Sequence, residues 1–182
     1  MNDLIVLGIL FEGPQHGYAL KKRTGLIFGH ADMHNNLIYP LLRRFVAQAW
    51  VTRRTTAGHR GQTRQVYSLT LLGRNALIER LRKFGESEAS SAQAFRLRVG
   101  FFGLLDPEAR EQIIAKRDVF LASRTRKLSD LQKSMDLGMY GAEVVRFMRL
   151  QIQVEIAWIS RLRRLKTSRQ GKTSKRARRK SR

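Results

Sequence analysis

Apolar residues recur at helical spacing in Leu37–Val46, and this segment has the clearest amphipathic pattern in the first half of the chain. Asn35 and Asn36 precede it and are favourable caps, and Pro40 suits a first turn because proline has no N–H to donate. The pattern predicts a helix that begins near Asn36 and buries one face. The residues of that face are Ile38, Leu41, Leu42 and Phe45.

Strand-like patterns follow this helix. Val51–Thr55 and Gln65–Leu69 are rich in β-branched and aromatic residues, and they flank a loop at 56–64 that contains Gly58 and Gly61. The pattern predicts a β-hairpin with basic residues on it and at its tip. A helix beside such a hairpin is the layout of a winged helix, which suits DNA.

Three further helices complete the predicted N-terminal domain, residues 1–84. Gly13-Pro14 ends the first of them, Thr70 is a favourable cap for the last, and Leu72 of that last helix is expected to pack inward. The chain is therefore predicted to be mainly α, with an N-terminal winged helix-turn-helix of three helices, a two-stranded wing and a fourth helix. The predicted bounds are 3–11 for the first helix, a start at Gln15 or His16 for the second, and 71–84 for the fourth.

Long helical patterns occupy residues 85–166, the predicted C-terminal dimerisation domain. Asp106-Pro107-Glu108 is a strong start signal for a helix that runs to Leu137, and a second pattern runs from Ala142 to about Lys166. One seam of this last helix is predicted to form a homodimer interface. Its residues are Val145, Met148, Ile152, Ile156, Ile159 and Leu162.

Arg117 and Arg124 lie on the apolar seam of the first long helix. We expect their stems to pack while the guanidinium groups reach solvent or pair with Glu143 or Glu155. A carboxylate ligand held by these arginines is the alternative.

Charge is distributed unevenly along the 182 residues. Lys and Arg number 36 against 14 Asp and Glu, a net charge of +22, which indicates a polyanionic partner. Residues 1–83 carry +9, residues 84–165 carry +4, and residues 166–182 carry nine basic residues and no acid. Residues 167–182, called the basic tail below, have no apolar residue larger than Ala177. We predict that the basic tail is disordered alone and binds phosphates.

The predicted helix and hairpin supply most of the candidate DNA contacts. Either asparagine can read adenine or serve only as a cap, and the arginines contact DNA or form an ordinary solvated surface. Tyr18, Lys21 and Lys22 suit the DNA backbone better than the bases. The full predicted set is Tyr18, Lys21, Lys22, Asn35, Asn36, Tyr39, Arg43, Arg44, Arg53, Arg54, His59, Arg60 and Arg64.

Several motifs resemble the PadR family of bacterial transcription regulators, in the family's order and spacing over about the first 80 residues. They are Leu7–Leu10, Gly13–Leu20, Ile38–Arg44, Tyr67–Thr70 and Gly73-Arg74. The two long helices after the winged helix resemble the dimerisation domain of larger members by layout alone.

The chain departs from the family pattern at both ends of the predicted recognition helix. Asn35–Ile38 stands where a small Ser or Gly usually precedes Leu-Tyr-Pro, and Ala49-Trp50-Val51 replaces the usual Gly-Leu-Ile. Alanine adopts a left-handed cap less readily than glycine. The resemblance implies that small aromatic or phenolic effectors release some members from DNA.

We therefore predict a DNA-binding transcriptional regulator, a repressor that binds an inverted-repeat operator as a homodimer, with a small aromatic effector as a possible partner. The alternative is a sequence-indifferent nucleic-acid-binding protein, nucleoid-associated or RNA-binding, in which the basic surface and tail dominate. An affinity for nucleic acid that falls steeply with salt, with little preference for an operator, would favour the alternative.

Other classes of function have little support in the sequence. It contains no cysteine, no Gly-rich phosphate loop and no Ser-His-acid arrangement, so we predict no enzyme and no cofactor. His30, Asp32 and His34 alternate without the spacing of a helical metal site, so no metal is predicted. The apolar run Leu4–Phe11 is too short to span a membrane, and we expect a cytoplasmic, nucleoid-associated protein.

Overall fold

A computed structural model describes residues 1–28, 35–57 and 63–178 of the chain, the side chains of 24–28, 35–36 and 166–178 excepted. The described chain forms two compact units, Met1–Asp106 and Pro107–Arg182. The first unit is helical around one small sheet. Its elements are α1 Asn2–Phe11, β1 Gln15–His16, α2 Gly17–Phe28, α3 Asn35–Ala47, β2 Val51–Ala57, β3 Thr63–Leu69, α4 Leu71–Arg82, α5 Glu86–Ser90, α6 Ala92–Gly100 and a 3-10 turn at Phe102–Leu104.

The predicted winged helix is present. The stripe of α3 is buried as expected, and β2 and β3 pair antiparallel from Val51 opposite Leu69 to Ala57 opposite Thr63. One strand was missed, because Gln15–His16 pairs with β3 instead of opening α2. The sheet order is β1-β3-β2, so this short strand covers the edge of β3 that β2 leaves open.

The predicted packing of α4 is corrected at its first turn. Leu72 is 59% exposed, whereas Ala76, Leu77 and Leu81 are buried. The inward position of that turn belongs to Gly73, where a Cβ would overlap the carbonyl oxygen of Trp50. This close approach of two backbones orients α4 so that Leu72 faces solvent. The cap is as predicted, because the Thr70 hydroxyl accepts from the Gly73 N–H at 3.0 Å.

A buried arginine explains why the boundary between units lies after residue 106 rather than after 84. Arg98 is 1% exposed, and its Nη2 donates to Glu88 Oε1 at 2.6 Å and to Lys83 O at 2.7 Å. Its Nε donates to Leu81 O at 3.2 Å, and its guanidinium lies 4.7 Å from the centroid of the Phe84 ring. Arg98 thus fastens α6 to the C-terminal end of α4.

A second contact supports the corrected boundary. The ring of Phe101 packs on α1 at Gly8, where a Cβ would overlap the ring. Residues 85–106, which we assigned to the C-terminal domain, therefore complete the core of the first unit.

The second unit is a helical hairpin of α7, Pro107–Ser134, and α8, Gly138–Arg178. Gly138 has a φ of 57°, a value that glycine adopts easily, and the chain reverses there. Arg117 is buried on the seam of α7, and its Nε and Nη2 donate to the two carboxylate oxygens of Glu155, each at 2.8 Å. This confirms the predicted pairing, while Arg124 is exposed with its Nη2 4.0 Å from Met148 Sδ.

Half of the residues in the predicted dimer seam are buried within a single chain. Val145, Ile152 and Ile159 are already buried in a single chain, in which α7 packs along α8. These residues stabilise the hairpin and are not available to a partner. Met148 and Leu162 are half-buried, and only Ile156 of the predicted set is largely exposed.

The last helix differs from the predicted bounds at both ends. It begins at Gly138 rather than Ala142, and its backbone continues to Arg178, through most of the segment for which we predicted disorder. The basic tail has a composition compatible with this, because Lys, Arg, Gln and Ala are favourable helix residues and no proline interrupts them. Residues 179–182 lie outside the described residues.

The end of α3 contains a backbone conformation that alanine rarely adopts. Ala49 has a φ of 55°, and its N–H donates to Val46 O at 3.0 Å. The Trp50 N–H donates to Phe45 O at 2.9 Å, and these two bonds form a Schellman cap. An L-residue in this left-handed conformation brings its Cβ close to the following carbonyl oxygen.

We predict that Ala49→Gly raises the free energy of unfolding by roughly 0.5–1 kcal/mol, because relief of the Cβ strain exceeds the extra entropy of the unfolded chain. Urea unfolding monitored by circular dichroism measures the change. Ala47→Gly, at the last helical position, is the control and should lower stability by up to about 1 kcal/mol. A loss of stability in Ala49→Gly would contradict the strained cap.

Candidate nucleic-acid interface

The outer face of α3 carries the predicted recognition residues that the structure describes. Tyr39, Arg43 and Arg44 are exposed opposite the buried stripe. Arg43 has no ion pair with any residue in the described part of the chain, so its five donors are available to a ligand. Asn35 and Asn36 open α3, and their side chains lie outside the description.

Arg44 differs from Arg43 because it is held by α1. Its Nη2 donates to Asp3 Oδ2 at 2.6 Å, and Arg80 Nε lies 3.6 Å from the same oxygen. Asp3 lies in the first turn of α1, where no side chain caps the helix, and its carboxylate instead positions Arg44. Arg44 therefore orients α3 on α1 as well as presenting charge.

The wing carries exposed arginines on both strands. Arg53 and Arg54 lie on β2, and Arg64 lies on β3. The strands are also linked by side chains, since Gln65 Nε2 donates to Thr55 Oγ1 at 3.0 Å. His59 and Arg60, the predicted contacts at the tip, lie outside the described residues.

A buried tyrosine at the base of the wing was not predicted as part of the site. Tyr67 pairs with Arg53 across the hairpin, and burial raises the pKa of its hydroxyl because the phenolate would lose its hydration. The Arg53 guanidinium, hydrogen-bonded to Tyr67, opposes this shift, and the nearby Tyr39 adds to it. The cross-strand register of the predicted hairpin could have indicated the pairing.

A cleft of about 490 Å³ lies between the start of α2, the outer face of α3 and β3. Gly17 allows α3 to approach, because a Cβ there would lie 3.2 Å from Cε1 of Tyr39. The cleft brings Tyr18, Tyr39 and Arg64 together, three residues that are far apart in sequence. Its lining residues are His16, Gly17, Tyr18, Ala19, Tyr39, Thr63, Arg64, Gln65 and Tyr67.

The groups around this cleft are hydrogen-bond donors of the kind that bind phosphate. Tyrosine hydroxyls, an arginine and the N-terminal N–H groups of a helix all favour an anionic oxygen. Lys22 is exposed further along α2, and Lys21 is half-buried and makes a contact within the protein. Of the residues of α2 predicted to contact the DNA backbone, Tyr18 lies in the cleft beside Tyr39 of α3 and Arg64 of the wing.

Metal binding and insertion into a membrane are two other possible functions. Within the described residues, no group of three or more His, Asp or Glu side chains is placed to hold a metal ion. His30, Asp32 and His34 lie outside those residues. Among the described helices, none is long and apolar enough to cross a membrane.

The N-terminal part of the chain is similar to a known protein family. Residues 6–79 match the model of the transcriptional regulator PadR-like family. The negative transcriptional regulator PadR of Bacillus subtilis (strain 168) is 27% identical over 146 residues, which are 78% of this chain and 77% of the relative.

Two solved structures of Bacillus subtilis PadR are also similar. The complex with operator DNA is 23% identical with a TM-score of 0.45, covering 88% of this chain and 95% of that one. The complex with p-coumaric acid is 20% identical with a TM-score of 0.39, covering 88% and 92%. The segment that matches the PadR-like family, residues 6–79, runs from α1 to α4 of the winged helix described above.

Proposed function

We propose that this PadR-like regulator is a repressor that binds an inverted-repeat operator as a homodimer. The observation that carries DNA binding is the outer face of α3, where Arg43 is exposed without an ion pair to any described residue, beside a wing with three exposed arginines. Repression is supported by the relative from Bacillus subtilis, a negative regulator. The family consists of transcriptional regulators rather than enzymes.

Roles on DNA follow from the kind of donor that each element presents. In this proposal α3 enters the major groove, where a bidentate arginine recognises guanine. The cleft at the start of α2 receives a backbone phosphate through Tyr18, Tyr39 and Arg64, which fixes the register of α3 without reading sequence. The wing arginines contact the flanking phosphates and the adjacent minor groove.

The homodimer is supported by an exposed apolar stripe on α8. Its members are 53% to 81% exposed, and their spacing keeps them on one helix face, separate from the face buried by Val145, Ile152 and Ile159. We call these residues the outer stripe: Tyr140, Val144, Phe147, Val154 and Leu165. A second copy of α8 fits it, because a two-fold interface pairs identical surfaces and this spacing is that of a coiled coil.

An inverted repeat follows from two-fold symmetry. A dimer presents two α3 helices related by the dimer axis, so the half-sites must be inverted and about one turn of DNA, roughly 34 Å, apart. The experiment that tests the function is selection of bound sequences from random duplex DNA with the full-length protein. A palindromic consensus supports the proposal, and no enrichment would favour the sequence-indifferent binder suggested by the net charge of +22.

Release by a small aromatic effector belongs to the proposal through the family resemblance. Titration of the protein–operator complex with phenolic carboxylic acids tests it directly. A fall in operator affinity of at least about fivefold, the lower end of ordinary allosteric coupling, supports release. Unchanged affinity at saturating acid removes this part and leaves the DNA-binding function intact.

Substitution of the exposed arginine of α3 tests the recognition helix. We predict that Arg43→Ala lowers operator affinity by about 1–3 kcal/mol and relaxes preference at one base pair, while the melting temperature is unchanged. Fluorescence anisotropy on operator variants at moderate salt measures both. Arg96→Ala on α6 removes the same charge from an exposed position and should have little effect.

Arg44→Ala should weaken operator binding and also lower stability slightly, by at most about 1 kcal/mol, because the pair with Asp3 is partly exposed. The diagnostic result is a melting temperature that falls in Arg44→Ala and does not change in Arg43→Ala. If both variants bind the operator as the wild type does, α3 is not the recognition helix.

Charges placed on the outer stripe should prevent dimerisation. Phe147→Asp with Val154→Asp is predicted to give a folded monomer by sedimentation, because both side chains are exposed, and to lose at least about 100-fold in operator affinity. Val119→Asp, at an exposed position of α7, is the control and should remain dimeric. Ile152→Asp with Ile159→Asp should unfold the hairpin instead. An unchanged dimer in the first variant would exclude the outer stripe.

A further inference from the structure

The last helix extends beyond the helix that packs along it. In the α7–α8 hairpin, α7 has 28 residues and α8 has 41. Because both helices rise about 1.5 Å per residue, α7 covers α8 only to about residue 165. Arg163 marks this limit, since its Nη2 lies 2.8 Å from Glu111 Oε1 and 2.7 Å from Asp118 Oδ2 near the start of α7.

Beyond this limit the sequence loses the features that stabilise a helix by packing or pairing. Leu165 is the last large apolar residue, and the basic tail contains Lys and Arg without a single Asp or Glu. Arg169, Lys172 and Arg176 follow one another at steps of three and four residues, and like charges at that spacing destabilise a helix. The helical backbone nevertheless continues to Arg178, about 20 Å beyond residue 165.

A polyanion that neutralises these charges would stabilise the helix. Duplex DNA carries two phosphates for every 3.4 Å of its length, so a helix of about 20 Å that lies along the duplex is beside more phosphates than it has basic residues. The regulator already binds duplex DNA in the proposed function, so this polyanion is at hand whenever the protein acts.

We propose that residues 167–178 are an α-helical extension of α8 and that the basic tail binds the phosphates of duplex DNA without reading bases. This inference rests on the proposed function and adds a second DNA contact, outside the matched family domain, that holds the regulator on DNA of any sequence. The recognition helix still selects the operator, and the tail raises affinity for operator and non-operator DNA alike.

Truncation after Lys166 removes eight basic residues and no acid. Relative to full-length protein, the truncated protein should bind non-operator duplex about 10- to 100-fold more weakly at low salt, with a log–log salt slope shallower by about 3 or more. The melting temperature and the ranking of operator variants should not change. A second variant, in which the eight basic residues of the tail are changed to Gln, keeps the length of the tail and should behave like the truncation.

The helical conformation is tested with variants that leave the charge unchanged. Gly171→Ala favours a helix and should bind non-operator duplex more tightly than wild type, whereas Thr173→Pro interrupts it and should bind more weakly. Hydrogen exchange of the 167–178 amides should slow when duplex DNA is added to the wild type. Equal affinities of the two variants would overturn the helical part of the proposal.

The outcomes separate this inference from the proposed function. A salt slope of the truncated protein equal to that of the full chain overturns the role of the tail, whatever the operator selection shows. Tail-dependent binding to single-stranded RNA or anionic vesicles, with none to duplex DNA, also overturns it. Failure of the full-length protein to select a palindrome would overturn the operator function. The salt slope would still test the role of the tail independently.

Discussion

The backbone of Trp50 fixes α3 to the rest of the winged helix. Its N–H closes the cap of α3, and its carbonyl oxygen accepts from both the N–H and the hydroxyl of Thr70, at 2.9 and 3.0 Å. Gly73 packs against the same carbonyl, and the Trp50 ring lies 4.3 Å from the guanidinium of Arg80. One peptide therefore joins α3, the wing and α4. This peptide determines how the exposed residues of α3 are oriented.

In the second unit, two apolar faces of one helix have different roles. The face with Ile152 and Ile159 is covered by α7, and the bidentate pair of Arg117 with Glu155 fixes the alignment of the two helices. Breaking such a buried pair leaves an uncompensated charge, so the pair specifies the register of the hairpin. The outer stripe, presented by a hairpin of fixed register, then offers a partner a defined surface.

The sequence predicted the periodic features of the fold and missed those that depend on distant contacts. The buried stripe of α3 and the paired wing strands follow from spacing and residue type alone. The short strand at Gln15 could not be predicted, because two residues have no periodicity and the pairing depends on β3. The face of α8 shows the same limit: spacing shows that Ile152 and Ile159 share a face, but not that α7 covers that face in a single chain.

The contacts of Arg98 and Phe101 bear on where the chain can be divided into parts that still fold. A fragment that ends with the family-matched segment at residue 79 would lose Phe101, which packs on α1 at Gly8, and would also lack the buried residues Leu81 and Phe84. The smallest fragment that folds by itself is therefore expected to end at Asp106, the last residue of the first unit. Exchange of the first unit between related proteins should succeed at that junction and yield insoluble protein when made at residue 79, where the family match ends.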